Sequence, residues 1–317
     1  MKFLKDIIGA AWFKISSLNS FAILLKIGFG LVISKILAIY VGPAGMALVG
    51  NLRNFQTSLE SFVTLGFQNG IVKYTAQFKG DKNQFKKLIS TVSITITLFI
   101  LLFGIGLYVF REVIASYLFG SENEYEIIIK AIIFSLPFYG FSLFYFLNQR
   151  IREIQKVVYI SVIGNIFGFV FSLFLVLNYN VLGALFAMVL APITNFFIAT
   201  FFVFKEIKLF QFIQLKFFDK SILNNLSSYS AMALFSAISG PLIYIFLRNH
   251  LINTAGIDVA GFWESMSRIS SYYMLFVSSL MSMYFLPQLA VSNKEETKLI
   301  FRNYYKTIVP VFLWVLF

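Results

Sequence analysis

The sequence predicts an all-α integral membrane protein, a polytopic helical bundle. Three observations carry this. The 317 residues are 59% hydrophobic and 13% charged, with a mean hydropathy of +0.81; soluble domains carry about twice that charge. Apolar runs of about 20 residues, the length that crosses a bilayer, recur along the whole chain. Lys and Arg fall in every second connection, the alternation that membrane topology imposes.

The elements follow in order. The first span is expected over 15–39, and Gly42-Pro43 makes a short join to the second, 44–68. The third covers 88–110 and the fourth 127–147. Asn178–Asn180 is a second short join, between spans over 157–177 and 181–204. The seventh and eighth cover 223–247 and 261–286. A ninth apolar run starts near Thr307 and meets Phe317 before it can cross a bilayer. The chain is therefore expected to be truncated inside its ninth helix. Short joins force antiparallel neighbours, so the helices pair as hairpins.

The connections set orientation. One set carries Lys2 and Lys5, then Lys73, Lys79, Lys82, Lys86 and Lys87, then Arg150, Arg152 and Lys156. It continues with Lys205, Lys208, Lys216 and Lys220, and with Lys294, Lys298, Arg302 and Lys306. The alternate set carries only Arg111, Lys130 and Arg248, and one of its loops holds Glu112, Glu122, Glu124 and Glu126. Positive residues stay inside, so the N-terminus is expected in the cytoplasm. The same loops account for most of the net charge of +12 without nucleic acid, and they should lie against anionic membrane lipids. No cleavable signal peptide is expected, because Lys14, Lys26 and Lys35 interrupt the first apolar stretch.

Several chemistries have no basis here. Cysteine is absent, which removes disulfides, thiolate metal sites and a Cys nucleophile. His250 is the one histidine, too few for a His-based metal site. No phosphate-binding loop with Gly-Lys-Ser/Thr occurs, so no ATPase motor is built in. Neither an enzyme nor a cofactor is expected.

Charges inside the spans are the informative residues. Each costs about 2.5–3.5 kcal/mol at a helix centre on insertion scales. Lys26 and Lys35 lie in the first span, Arg53 and Glu60 in the second, Glu264 and Arg268 in the eighth. Arg53 and Glu60, seven apart, share a helix face; Glu264 and Arg268, four apart, have direct ion-pair spacing. Lys26 and Lys35 fall on opposite faces unless Gly28 and Gly30 let the helix bend. Two readings stand. The cations line a mid-membrane cavity that holds pyrophosphate oxygens, with Arg as a bidentate fork; or each Arg pairs with its own Glu and each Lys reaches an interface. Glu60 and Glu264 are the mid-helix carboxylates, hence the candidates for ion coupling or charge pairing. Pro241, beside Gly240, is the best hinge candidate.

A two-lobe plan fits this layout. Gly42-Pro43-Ala44-Gly45 opens the second span with Arg53 downstream, and Ala260-Gly261 opens the eighth with Arg268 downstream. Transporters are often built from two such repeats. Residues 1–204 would form a first six-helix lobe, 205–222 a cytoplasmic linker, and 223–317 the start of the second lobe.

The first hairpin carries a more specific pattern. Leu25-Lys26-Ile27-Gly28, Ser34-Lys35-Ile36-Leu37-Ala38, Gly42-Pro43-Ala44-Gly45, Asn51-Leu52-Arg53-Asn54 and Asn69-Gly70-Ile71-Val72-Lys73-Tyr74 resemble the O-antigen translocases. These are the Wzx-type flippases of lipid-linked oligosaccharides, including the enterobacterial common antigen type, in the multidrug/oligosaccharidyl-lipid/polysaccharide exporter superfamily. Gly261-Phe262-Trp263-Glu264 and Tyr284-Phe285-Leu286-Pro287 extend the resemblance. It implies a two-lobe exporter fold of about twelve helices around a cationic cavity. It also implies alternating-access transfer of an undecaprenyl-pyrophosphate-linked oligosaccharide across the bacterial inner membrane. Lys26, Lys35, Arg53 and Arg268 are the implied cavity residues, and a polysaccharide polymerase with its chain-length machinery the implied partners. Here Ser271 follows Ile269-Ser270, where members of this type can carry an acid. The alternatives are a drug/cation antiporter of the same superfamily, a flippase for the peptidoglycan lipid precursor, and a membrane-embedded polymerase or ligase. The first would want acidic walls, and the last a large outer loop.

Overall fold

The computed structural model describes residues 11–78, 80–120, 123–147, 154–203, 213–280 and the pairs 297–298, 301–302 and 305–306. The apolar run from Thr307, the segment Tyr284–Pro287 and several of the basic loop positions fall outside these residues. Among the described residues the secondary structure is entirely helical.

The described residues begin with α1, Ala11–Tyr40, and the chain turns at Gly42, whose φ of +72° suits glycine. Next is α2, Gly42–Thr64, with Pro43 in its first turn, where no backbone donor is needed. It ends earlier than the expected position 68. Leu65 and Gly66 both take positive φ, and the chain restarts as α3, Gln68–Gln77. Asp81 caps α4, Lys82–Val109, by accepting from the backbone N–H groups of Asn83 and Gln84. The expected acidic loop over 111–126 is folded: it contains α5, Arg111–Phe119, and a 3-10 turn, Asn123–Tyr125. Then comes α6, Glu126–Leu147.

Ile154–Val203, α7, holds two spans. Asn180 breaks it with a non-helical φ of 47° and ψ of −121°. A Cβ on Gly183 would run into the Leu175 carbonyl, and one on Gly164 would stand 2.5 Å from Asn195 Oδ1. Gly164 and Asn195 are nearly equidistant from Asn180, so the two halves form the expected hairpin. After a 3-10 turn at Leu215–Phe217, Asp219 caps α8, Lys220–Ala255. Gly256, at φ +95°, separates it from α9, Ile257–Leu280.

The contacts divide the chain into two compact units, Leu31–Ser267 and Met1–Gly30 with Arg268–Phe317. In the larger unit, one apolar core joins Met46, Val49, Leu52 and Leu59 of α2 to Ile128, Ile129 and Ile132 of α6 and to Leu185 and Val189 of α7. A second joins Phe67 and Ile71 to Leu88, Ile89 and Val92 of α4 and to Ile222 and Leu226 of α8. In the smaller unit Gly30 lies against the Tyr272 ring, which leaves no room for a Cβ.

Among the described residues, four stretches are long and apolar enough to cross a membrane: Phe21–Tyr40, Lys82–Val109, Val158–Phe201 and Ser230–Ala255. The third is long enough for its two halves to cross separately. Helix α2 is absent from this set for a physical reason. It is wrapped by protein and buries Asn51, Asn54, Gln56 and Ser58, so its composition need not match lipid. By contrast α4 exposes Leu98, Leu101, Leu102 and Ile105, a face suited to acyl chains.

Candidate functional site

The site starts from two glycines. A Cβ on Gly261 would collide with the Pro43 carbonyl, so the start of α9 lies directly on the start of α2. One turn further along α9, Glu264 reaches α2 at Gly50, where a Cβ would stand 2.5 Å from Glu264 Oε2 and 2.8 Å from Arg248 Cζ. Only a missing side chain lets this carboxylate approach so closely.

Glu264 is fully buried and divides its oxygens between two arginines. Oε1 lies 3.0 Å from Arg53 Nη2 on α2; Oε2 accepts from Arg248 Nη2 on α8 at 2.5 Å. Arg248 is fully buried, whereas the Arg53 side chain is 33% exposed. Arg248 also donates through Nη1 to Asn51 Oδ1 at 2.9 Å. With its amide oxygen turned to the guanidinium, Asn54 accepts from both Arg248 Nη atoms at 3.2 Å. The guanidinium lies over the Trp263 ring, 5.3 Å from its centroid, and Trp263 stacks on Tyr244. Asn51 Nδ2 donates to the Leu118 carbonyl and to Asn249 Oδ1, each at 2.9 Å; Asn249 Nδ2 donates to the Tyr117 carbonyl at 3.0 Å. The network therefore ties α2, α5, α8 and α9 together. Buried charge is tolerable here because partners surround it.

At 1.5 Å per residue, Arg53 lies about 16 Å along α2 from the Gly42 turn, roughly halfway through a hydrocarbon core. Glu264 and Arg248 lie about 10 Å from the ends of their helices at the Gly256 turn.

The expected site residues are distributed as follows. Arg53 and Glu264 meet. Arg53 and Arg248, from two different helices, converge on Glu264 on a third. Glu60 is partly buried two turns further along α2. Lys35 is exposed on α1. Lys26, exposed, and Arg268, buried, belong to the other compact unit. Arg248 corrects the sequence reading. It was expected in an outer connection after a span ending at 247, yet α8 continues to Ala255 and buries it. Its signal was faint: an arginine beside Asn249 and His250 reads as a polar turn.

A second charged group sits at the junction of α4, α5 and α6. Glu126 Oε1 receives Arg111 Nε at 2.6 Å and Lys130 Nζ at 2.9 Å. Hydrogen bonds from Lys130 and then Arg111 hold the Glu126 carboxyl below its ordinary value. Among the described residues, no group of three or more His, Cys, Asp and Glu could hold a metal ion.

Known proteins share this architecture. The family described as polysaccharide biosynthesis protein matches residues 14–291. Two curated relatives, the lipid III flippases of Escherichia coli strain K12 and of Shigella flexneri, are each 27% identical over 296 residues, covering 90% of this chain and 68% of theirs. An inward-facing multidrug resistance MATE family transporter of the MOP superfamily superposes with a TM-score of 0.58 at 16% identity. A second solved chain, protein A, superposes with a TM-score of 0.60 at 16% identity. The alignments cover 84% and 86% of this chain and 63% of each solved chain, so this chain spans less than two thirds of their length. At such identity the solved chains establish the fold: all-α, multi-pass and membrane-embedded. With the family match covering most of its length, this chain belongs to the polysaccharide biosynthesis protein family.

Proposed function

We propose that this chain is part of a flippase that carries an undecaprenyl-pyrophosphate-linked oligosaccharide from the cytoplasmic to the periplasmic leaflet of the bacterial inner membrane. The oligosaccharide is an O-antigen or common-antigen repeat unit, and transfer proceeds by alternating access. The N-terminus is cytoplasmic; residues 1–204 form the first lobe, 205–222 the linker, and 223–317 belong to the second. The observation that carries this reading is Arg53: a guanidinium at mid-membrane depth, partly exposed, and held by a carboxylate that a second arginine also engages. Hydrocarbon does not tolerate such a charge, so its exposed side faces an aqueous cavity. A guanidinium fork suits pyrophosphate oxygens. Lys26, Lys35 and Arg268 complete the cationic wall in this proposal, and Glu60 or Glu264 is the carboxylate available for ion coupling. Relatives named as lipid III flippases support the substrate class.

The test is translocation in proteoliposomes. The protein at its full natural length should move a pyrophosphate-linked oligosaccharide. Arg53→Ala, inserted and folded, should lose about tenfold or more of that rate, the value of a hydrogen bond to a charged group. Movement of a peptidoglycan precursor in place of the oligosaccharide would change the substrate. Expulsion of a cationic drug with no lipid transfer would replace the flippase with an antiporter.

A further inference from the structure

The connection between α4 and α6 reads in sequence as an acidic outer loop, yet α5 fills much of it, and its residues fall into three arcs. At about 100° per residue, Ala115, Leu118 and Phe119 share one arc and are buried in the core. Glu112 and Ser116 form a second arc, polar and exposed. Val113 and Tyr117 form a third with Phe110; this one is apolar, and the three are exposed at 66%, 55% and 58%. Single exposed apolar residues are ordinary, but an apolar arc beside a polar one is the pattern of a helix lying at a membrane surface. Helix α5 is also at the right level. From Leu88 to Val109, α4 rises about 32 Å, the thickness of a hydrocarbon core, so α5 starts where α4 leaves it. One residue, Phe110, joins the two helices: its N–H donates to the Gly106 carbonyl, and its own carbonyl accepts from the Ile114 N–H. The lipid-suited face of α4 runs into this joint through Ile105, Tyr108 and Val109, all exposed.

We propose that α5 is an interfacial helix whose stripe of Phe110, Val113 and Tyr117 docks into lipid, at the headgroup–acyl boundary of the leaflet opposite the basic end of α4. In the orientation proposed above, this is the outer leaflet. Lipid docking here requires no particular substrate and is independent of the flippase reading. Both ends of α5 are fastened, which fixes the arc that faces outward. At its start Arg111 donates through Nε to Glu126 of α6 at 2.6 Å, through Nη2 to Glu112 at 3.0 Å and through Nη1 to the Tyr108 carbonyl at 3.1 Å. The guanidinium lies over the Tyr108 ring, 5.1 Å from its centroid, at a level where aromatic rings meet headgroups. At its end the Tyr117 carbonyl accepts from Asn249 and the Leu118 carbonyl from Asn51. The occupant is lipid because the stripe continues the acyl-facing side of α4, with Leu98, Leu101 and Leu102 further along it.

Spin labels measure the depth of each arc. Cysteine is absent from these 317 residues, so Glu112→Cys, Val113→Cys, Ser116→Cys and Tyr117→Cys can each carry a single nitroxide. The protein at its full natural length is placed in nanodiscs of phosphatidylcholine and phosphatidylglycerol. Labels at Val113→Cys and Tyr117→Cys should lie about 5–10 Å below the phosphates, the depth of interfacial helices. They should be open to oxygen and shielded from a water-soluble nickel chelate. Labels at Glu112→Cys and Ser116→Cys should be open to the chelate, so that depth follows the turn of the helix. All four side chains are exposed, so labelling should leave the thermal midpoint unchanged. Should Tyr117→Cys fail to fold, Phe110→Cys takes its place. Chelate access at all four positions would put α5 in water and overturn the inference. Exclusion of both oxygen and chelate from Val113→Cys and Tyr117→Cys would put protein over the stripe and overturn it equally.

Discussion

Gly50 sets how closely the Glu264 carboxylate can approach α2. Any side chain there would meet Glu264 and Arg248, and neither can withdraw, because each is held by further bonds. Gly50→Ala should therefore lower stability by about 1–3 kcal/mol, the usual cost of overpacking, read as a fall in the thermal midpoint in detergent. An unchanged midpoint would mean that the cluster relaxes freely. Asn51 supplies a separate check. Asn51→Ala strands acceptors on Leu118 and Asn249 and a donor on Arg248, and should cost about 1–3 kcal/mol. Residue-scale chemistry was only half legible beforehand. That Arg53 and Glu264 sit inside spans follows from counting along apolar runs. That they are partners does not, since spacing on one helix reports only neighbours on that helix. Arg248 was hidden for a related reason. Polar residues near the end of an apolar run look like a loop until something buries and pairs them.

Helix α8 begins where several weak interactions coincide. The Asp219 side chain accepts from the Ser221 N–H at 3.0 Å, and Lys87 Nζ lies 2.9 Å from its other oxygen. Its own N–H donates to Thr91 Oγ1 at 2.9 Å. The N-terminus of α8 is thus docked on α4. The Lys87 ammonium, with the Ser221 N–H, holds the Asp219 carboxyl below its ordinary value of 3.8. A carboxyl depressed on folding contributes stability that is complete above its unfolded value and lost as pH falls through its folded one. The thermal midpoint should therefore fall below about pH 4, and fall less steeply in Asp219→Asn. An identical acid slope in the variant would remove Asp219 from the account. Asp219→Ala at neutral pH should cost about 0.5–2 kcal/mol, as lost N-caps do. At this scale apolar runs and turn residues were good guides. Both hairpin joins, at Gly42-Pro43 and at Asn178–Asn180, lie where expected. The short helices α3 and α5 were not foreseen, because neither is long enough for periodicity to show and each is stabilised by packing on longer neighbours.

For the molecule as a whole, orientation is the property most directly open to test. The absence of cysteine makes the protein ready for single-cysteine labelling. Glu124, in the connection before α6, and Lys216, before α8, are both exposed. Glu124→Cys should react with a membrane-impermeant maleimide in cells whose outer membrane alone is permeable, and Lys216→Cys only after the inner membrane is opened. The reverse pattern would invert the topology and the direction of transport with it. The sequence by itself determined that this is an all-α membrane protein with spans in known places. Hydrophobicity over about 20 residues and charge in a short loop are local properties that the bilayer reads directly. Only the tertiary structure decided which intramembrane charges meet. Ion pairing depends on distance in space, and the glycines that bring α9 and Arg248 against α2 act between segments far apart in the chain.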